Sequence, residues 1–244
     1  MKKISVLVVA FCAAVSLTAQ NIVNDPEAEK RNVGSFHAIQ VSNAFDVYLT
    51  QGNEEALAVS ASKPEYKDRI ITKVENGVLI IKFDNENKFW KGWNGDKLKL
   101  KVYIAFKNID KLNVSGACDV RLLTSLKAAD LRIQLSGASD FKMETSEFLN
   151  VDKLDVEISG ASDITLRGKA GQLKIDASGA SDFKGYDLVT THCEAEASGA
   201  SSIQITVSKE LSAVASGASS VYYKGEGLIR NIKTSGASSI SRKS

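Results

Sequence analysis

Apolar and polar residues alternate through most of the second half of the chain. Leu131, Ile133 and Leu135 are followed by Leu154, Val156 and Ile158, by Leu173, Ile175 and Ala177, and by Leu211, Ala213 and Ala215. Each run stops at a short stretch of small residues. Beyond it the alternation resumes with the same parity, as Phe141 and Met143, Ile164 and Leu166, Ile203 and Ile205, Val221 and Tyr223. A period of two predicts strands with one buried face. The small-residue stretch also recurs: SGACD at Ser115, SGASD at Ser136, Ser159 and Ser178, and SGASS at Ser198, Ser216 and Ser235, in steps of 21, 23, 19, 20, 18 and 19 residues. A near-constant period of this length is the signature of a solenoid. No helical periodicity and no leucine-rich-repeat asparagine occupies the connections. The predicted fold is therefore all-β, with coils of about 20 residues stacked roughly 4.8 Å apart as a parallel β-helix.

In that frame the small residues are corners. Gly and Ala let the backbone bend between two strands without a side chain striking the coil above or below, and the serine hydroxyls can bond to neighbouring backbone. The competing reading, a ladder of serines exposed for binding, needs the same hydroxyls to be unused by the stack.

The stack also decides the cysteines. Cys118 takes the fourth position of the first clear corner, and Cys193 falls in the inward column of Leu131, Leu154 and Leu173. Four coil steps set them roughly 19 Å apart, beyond the roughly 7 Å limit for a disulfide, so both are expected as free thiols. His192 should face away from its neighbour Cys193, because adjacent strand residues point to opposite faces.

The first half of the chain is less regular. Ser42 to Asp46 (SNAFD) reads as a degenerate early corner, Asn76-Gly77 as a tight turn between two strands, and LKLKVYIAF from Leu98 as a further strand. This part is expected to cover the amino-terminal end of the stack, where backbone would otherwise lie unpaired.

Lys2 and Lys3 precede an apolar run from Ile4 to Leu17, with Thr18 and Ala19 after it, the pattern of a secretory leader cleaved before Gln20. Phe11 and the apolar residues that continue past Cys12 argue against lipid attachment there. No later segment has the roughly 18 consecutive apolar residues of a membrane-spanning helix. Of 31 basic and 29 acidic residues, Lys2 and Lys3 belong to the leader, so the remainder is balanced and a nucleic-acid partner is not expected. The organisation predicted is a leader at 1–19, a linker at 20–35 and one β-solenoid domain at 36–244, irregular over 36–108 and regular over 109–244.

SFHAIQVSNAFDVYLTQG, VENGVLIIKF, KLKVYIAF and LNVSGACDV, followed by the SGASD series, resemble in their order the auto-transporter adhesin head GIN domain family common in Bacteroidetes. The resemblance runs from about Ser35 to the carboxyl end. It implies a right-handed parallel β-helix, a place in the periplasm, at the outer-membrane surface or outside the cell, and no catalytic activity or cofactor.

Two features remain as candidate chemistry. Asp119, Asp140, Asp163 and Asp182 follow successive corners, so their carboxylates stack, and Asp140, Asp163 and Asp182 offer the oxygen ligands that a Ca²⁺ ion takes or a pair at glycosidase spacing. Two residues on, the same face carries Arg121, Lys142, Thr165 and Lys184, and acids and bases fade together beyond Asp182. Solvated ion pairs, with no metal and no catalysis, are the expectation. The second feature is NKFWKGWNGDK, from Asn87 to Lys97, with both tryptophans. Read as a loop between strands, it puts Phe89, Trp90, Lys91 and Trp93 forward as the ligand-binding residues, for a glycan or an envelope protein; otherwise the two indoles fold back over the solenoid end. The chain thus reads as an exported, non-enzymatic binding or adhesion module. The alternatives are a structural envelope component that pairs end to end, as a homodimer through the carboxy-terminal coil, and, third, an enzyme acting on polysaccharide.

Overall fold

The computed structural model describes residues 25–84, 98–144 and 146–244. Its strands join in a single hydrogen-bonded ladder. The irregular part supplies β1 (Glu29–Arg31), β2 (Ala38–Asn43), β3 (Asp46–Gln51), β4 (Ala56–Ala61), the one-turn helix α1 (Pro64–Lys67), β5 (Ile70–Glu75), β6 (Val78–Phe83) and β7 (Leu100–Phe106). The regular part supplies β8 (Lys111–Gly116), β9 (Asp119–Leu122), β10 (Leu126–Gly137), β11 (Asp140–Met143), β12 (Leu149–Ile158), β13 (Asp163–Ala177), β14 (Asp182–Ala197), β15 (Ser202–Ala215), β16 (Ser220–Lys224), β17 (Leu228–Thr234) and β18 (Ser239–Arg242).

Each rung consists of a strand, a corner and a second strand, and successive rungs pair in parallel. The motif copies lie in one column: Ser136 is in register with Ser115, Gly137 with Gly116, and Asp140 with both Asp119 and Asp163. The inward columns are those read from the alternation. Leu131, Leu154, Leu173, Cys193 and Leu211 stack in register and are at most 3% exposed. Met143 and Tyr223, at the strand ends, are only partly buried against this core. A fully buried aliphatic side chain of this kind contributes about 1.5–3 kcal/mol, which is why the column tolerates no polar residue.

At the amino-terminal end the order in space departs from the order in sequence. β2 and β3 form the second rung, lying between β6/β7 on one side and β8/β9 on the other. The outermost strands there are antiparallel: β5 on β6, β4 on β7, and β1 on β4. They cover that end of the stack with strands that run against the rungs. β1 falls inside the segment expected to be a linker. Asn76 and Gly77 form the β5–β6 turn with φ of 50° and 75°, the left-handed pair that a two-residue hairpin turn demands. Among the described residues no helix is long and apolar enough to cross a membrane.

Candidate functional site

Two features occupy the outer surface: the corner column and the carboxylate column beside it. Every corner glycine has a positive φ, from 99° at Gly116 to 74° at Gly236. The amide of the next residue donates to the glycine carbonyl one rung below, as from Ala180 to Gly160 at 2.7 Å. The serine at the fourth position turns inward. Ser139, Ser162, Ser181, Ser201 and Ser219 are at most 2% exposed, and Ser201 Oγ lies 2.8 Å from the Ser198 carbonyl and 3.0 Å from that of Ala177. These hydroxyls are consumed by the stack, so the repeat is a structural corner, with Gly and Ala exposed at its tip and the first serine half-buried beside them. Cys118 substitutes for the serine, with Sγ 3.6 Å from the Ser115 carbonyl and 3.7 Å from that of Asn43. It and Cys193 are buried free thiols, and burial pushes both thiols up in pKa. His192 is exposed while Cys193 is buried, so the two face apart.

Asp46, in register with Asp119, extends the carboxylate column to five members. The SNAFD corner carried that signal, and the column read from the later motifs had not included it. Lys142 Nζ approaches Asp140 at 3.0 Å, and Lys184 Nζ approaches Asp163 at 2.7 Å and Asp182 at 3.8 Å. The hydrogen bond to Asp163, reinforced by the charges of Asp163, Asp182 and Asp140, raises the Lys184 pKa. Among the described residues no three His, Cys, Asp or Glu side chains converge as a metal site. Toward the amino-terminal end the basic column becomes aromatic. The Tyr48 and Tyr103 rings stack at 4.9 Å, and the Arg121 guanidinium covers Tyr48 at 5.9 Å. Tyr103 donates to Asp25 Oδ2 at 2.8 Å, beside Lys101 at 3.1 Å. Burial acts to raise the Asp25 pKa, but the bonds from Tyr103 and Lys101 outweigh it and hold the carboxyl low. These groups tie down the start of the described chain, a role no local motif announced.

β6 ends at Phe83, whose amide donates to Asn43 Oδ1 at 3.0 Å, and Lys101 of β7 is in register with Asp46 on the far side of the corner. The sequence between them carries no copy of the small-residue motif that the later rungs hold as SNAF, SGAC or SGAS. Phe89, Trp90, Lys91 and Trp93 belong to this segment and lie outside the described residues. Beside the regular corners runs a polar surface cavity of about 300 Å³, lined by Gln134, Ser136, Glu157, Ser159 and Asp176 among others.

The fold is shared with solved structures of low sequence identity. A "putative adhesin" from Bacteroides fragilis NCTC 9343 superposes with a TM-score of 0.78 at 21% identity, over 88% of this chain and 96% of that one. A "putative adhesin" from Parabacteroides merdae ATCC 43184 gives 0.69 at 17% identity, over 89% and 95%. A "putative lipid binding protein" from Parabacteroides distasonis ATCC 8503 gives 0.67 at 18% identity, over 91% and 98%. No curated protein matches the chain. Residues 35–227, from before β2 to the end of the regular rungs below β17, match the model of the family described as "Putative auto-transporter adhesin, head GIN domain", and the chain belongs to that family.

Proposed function

We propose that the chain is an exported, non-enzymatic adhesion module of the bacterial envelope that binds a glycan or an envelope protein through the insertion bearing Phe89, Trp90, Lys91 and Trp93. The observation that carries this reading is the position of the insertion. Each regular corner turns its fourth-position serine inward and exposes chiefly small side chains, Gly and Ala beside a half-buried Ser, which give a partner little area to bury. Between β6 and β7 the sequence has, in place of the small-residue motif, a segment that holds both tryptophans of the chain, and an indole buries about 150–250 Å² while keeping an N–H to donate. Lys88, Lys91 and Lys97 favour an acidic glycan or a negatively charged protein surface, partly offset by Glu86 and Asp96. Family membership supports adhesion over catalysis, and the leader pattern supports export to the periplasm, the outer-membrane surface or the exterior.

The test is an array of acidic and neutral glycans and envelope proteins probed with the mature chain and with a Trp90→Ala/Trp93→Ala variant. The variant should lose more than about 1 kcal/mol of binding to any ligand found, with its melting temperature nearly unchanged. Unchanged binding rejects the site, and a large loss of stability would instead make the segment a cover for the solenoid end. Self-association through solenoid ends, the alternative reading, has its surface in the β17–β18 rung.

A further inference from the structure

The β17–β18 rung is built unlike those beneath it. β17 pairs with β15 and β18 with β16, and among the described residues no strand pairs with the opposite edge of either. Both edges thus present backbone N–H and C=O groups that every inner rung has satisfied. The inward columns also arrive here uncovered. Ile229 is in register with Leu211 and Ile232 with Ala213, yet they are 44% and 39% exposed where their partners are 1%. Leu228 beside them is 62% exposed. The charge is one-sided: residues 225–244 hold Arg230, Lys233, Arg242 and Lys243 against Glu226, with Arg242 paired to Glu226 at 2.7 Å and Arg230 reaching Glu210 of β15 at 2.9 Å.

Three kinds of occupant suit exposed aliphatic side chains, and the other observations separate them. A second copy docking by the same end sets one net-positive rung against another, and cationic strand edges are a known device against self-pairing. The acyl region of a lipid surface covers apolar side chains but offers nothing to the open backbone groups. An extended strand supplies backbone partners, apolar cover and opposite charge together. We propose that the β17–β18 rung is an acceptor for one acidic, alternating strand of a partner protein, added by β-augmentation along β17. Apolar residues of the added strand lie over Ile232 and, past the bulge at Arg230 that breaks the register between Ile229 and Asn231, over Ile229, and its carboxylates face Lys233 on the outer side. The surface is at the opposite end of the stack from the tryptophan segment, so the two readings stand or fall separately.

The experiment titrates fluorescein-labelled peptides Glu-Val-Glu-Val-Glu-Val and Lys-Val-Lys-Val-Lys-Val with the mature chain from Gln20, read by fluorescence anisotropy. The acidic peptide should bind saturably, about tenfold or more tighter than the basic one, and weaken as salt is added. Ile232→Asp should abolish binding. Arg230→Glu with Lys233→Glu, two exposed changes that leave the inward columns alone, should reverse the charge preference, and the Trp90→Ala/Trp93→Ala variant should bind as the parent does. Absent or equal binding of the two peptides overturns the proposal, as does a preference unchanged in the charge-reversed variant. Concentration-dependent dimerisation in sedimentation velocity, lost in Ile232→Asp, would give the rung to a second copy, and binding to phosphatidylglycerol vesicles without peptide binding would give it to a lipid surface.

Discussion

Gly137→Ala perturbs one corner at a position where the cost can be worked from the geometry. Gly137 has a φ of +86°, and a Cβ built there falls 2.2 Å from the Gly116 carbonyl oxygen and 3.0 Å from the Gly116 nitrogen. The left-handed conformation alone costs an alanine about 1–2 kcal/mol. Relief of the contact requires the Gly116 carbonyl to retreat by about an ångström toward van der Waals separation, and that oxygen accepts the Ala138 amide at 2.7 Å. Loosening this bond adds about 1 kcal/mol, for a total of about 3 kcal/mol. That loss corresponds to a fall in melting temperature of about 6–12 °C for a domain of this size. The same built contact widens along the stack, through 2.5 Å at Gly179 to 2.8 Å at Gly236, while φ stays between +72° and +86°. The backbone cost is therefore shared and the collision cost is graded, so Gly236→Ala should lose only about 1–2 kcal/mol. Gly52, with nothing within 4 Å of a built Cβ, is the control and should change stability by no more than about 0.5 kcal/mol. Urea unfolding of the four proteins, followed by far-ultraviolet circular dichroism, measures the series. A Gly137→Ala chain as stable as the parent, or a Gly236→Ala loss equal to that of Gly137→Ala, would refute the corner argument.

Ser201→Ala removes a buried hydroxyl shared by the Ser198 and Ala177 carbonyls and should cost about 1 kcal/mol, whereas Cys118→Ser restores the residue that the column otherwise holds and should be neutral within about 0.5 kcal/mol; the same unfolding measurement separates them. The Lys184–Asp163 pair has a sign that pH can check. Its raised lysine pKa means that the contribution is complete below the unfolded-lysine value of about 10.4 and disappears as pH rises through the folded value. The stability difference between parent and Lys184→Met should thus be flat near neutrality and shrink in strong alkali. With side chains 43% and 35% exposed, it should not exceed about 1 kcal/mol and should fall with salt. A difference that grows with alkalinity would contradict the pairing.

The regular rungs were legible because each repeats one environment. A column such as Ile133, Val156, Ile175, Ala195 and Ala213 faces the core in every turn, so alternation and spacing carry the same information several times over. The SNAFD corner was legible for the same reason, and its register with the first SGACD copy follows. Asn43 keeps a positive φ of 87° there, which Asn tolerates better than most residues. The order of the first rungs was not legible. Alternation tells which side of β6 and β7 is buried but not which strand lies beside them, and the placement of β2/β3 between them and β8/β9 depends on long-range pairing. The tether of Asp25 to Lys101 and Tyr103 spans more than seventy residues of sequence and leaves no local trace.

A stack of this kind confines binding chemistry to places where the repetition fails. Within the regular rungs the polar groups of a corner find partners in their own or the next rung: alanine amide to the glycine carbonyl of the neighbouring rung, and serine hydroxyl both to the serine carbonyl three residues back and to the alanine carbonyl of the neighbouring rung, as Ser201 to Ser198 and Ala177. Such groups have little left to offer a ligand, since a partner would have to replace bonds already made. The outward carboxylates follow the same logic through lysines on their own and adjacent rungs. The repetition breaks after Phe83, where the sequence carries no copy of the motif, and at β17, where no rung follows among the described residues. At the first break the fold is free to change side chains without disturbing a column, and the sequence places its tryptophans there. At the second, the unsatisfied groups are backbone, which selects for an extended strand over a small molecule. On the two proposals the ends differ in the kind of partner they take, with side-chain recognition at one and main-chain pairing at the other, and variants at one end should leave binding at the other unchanged.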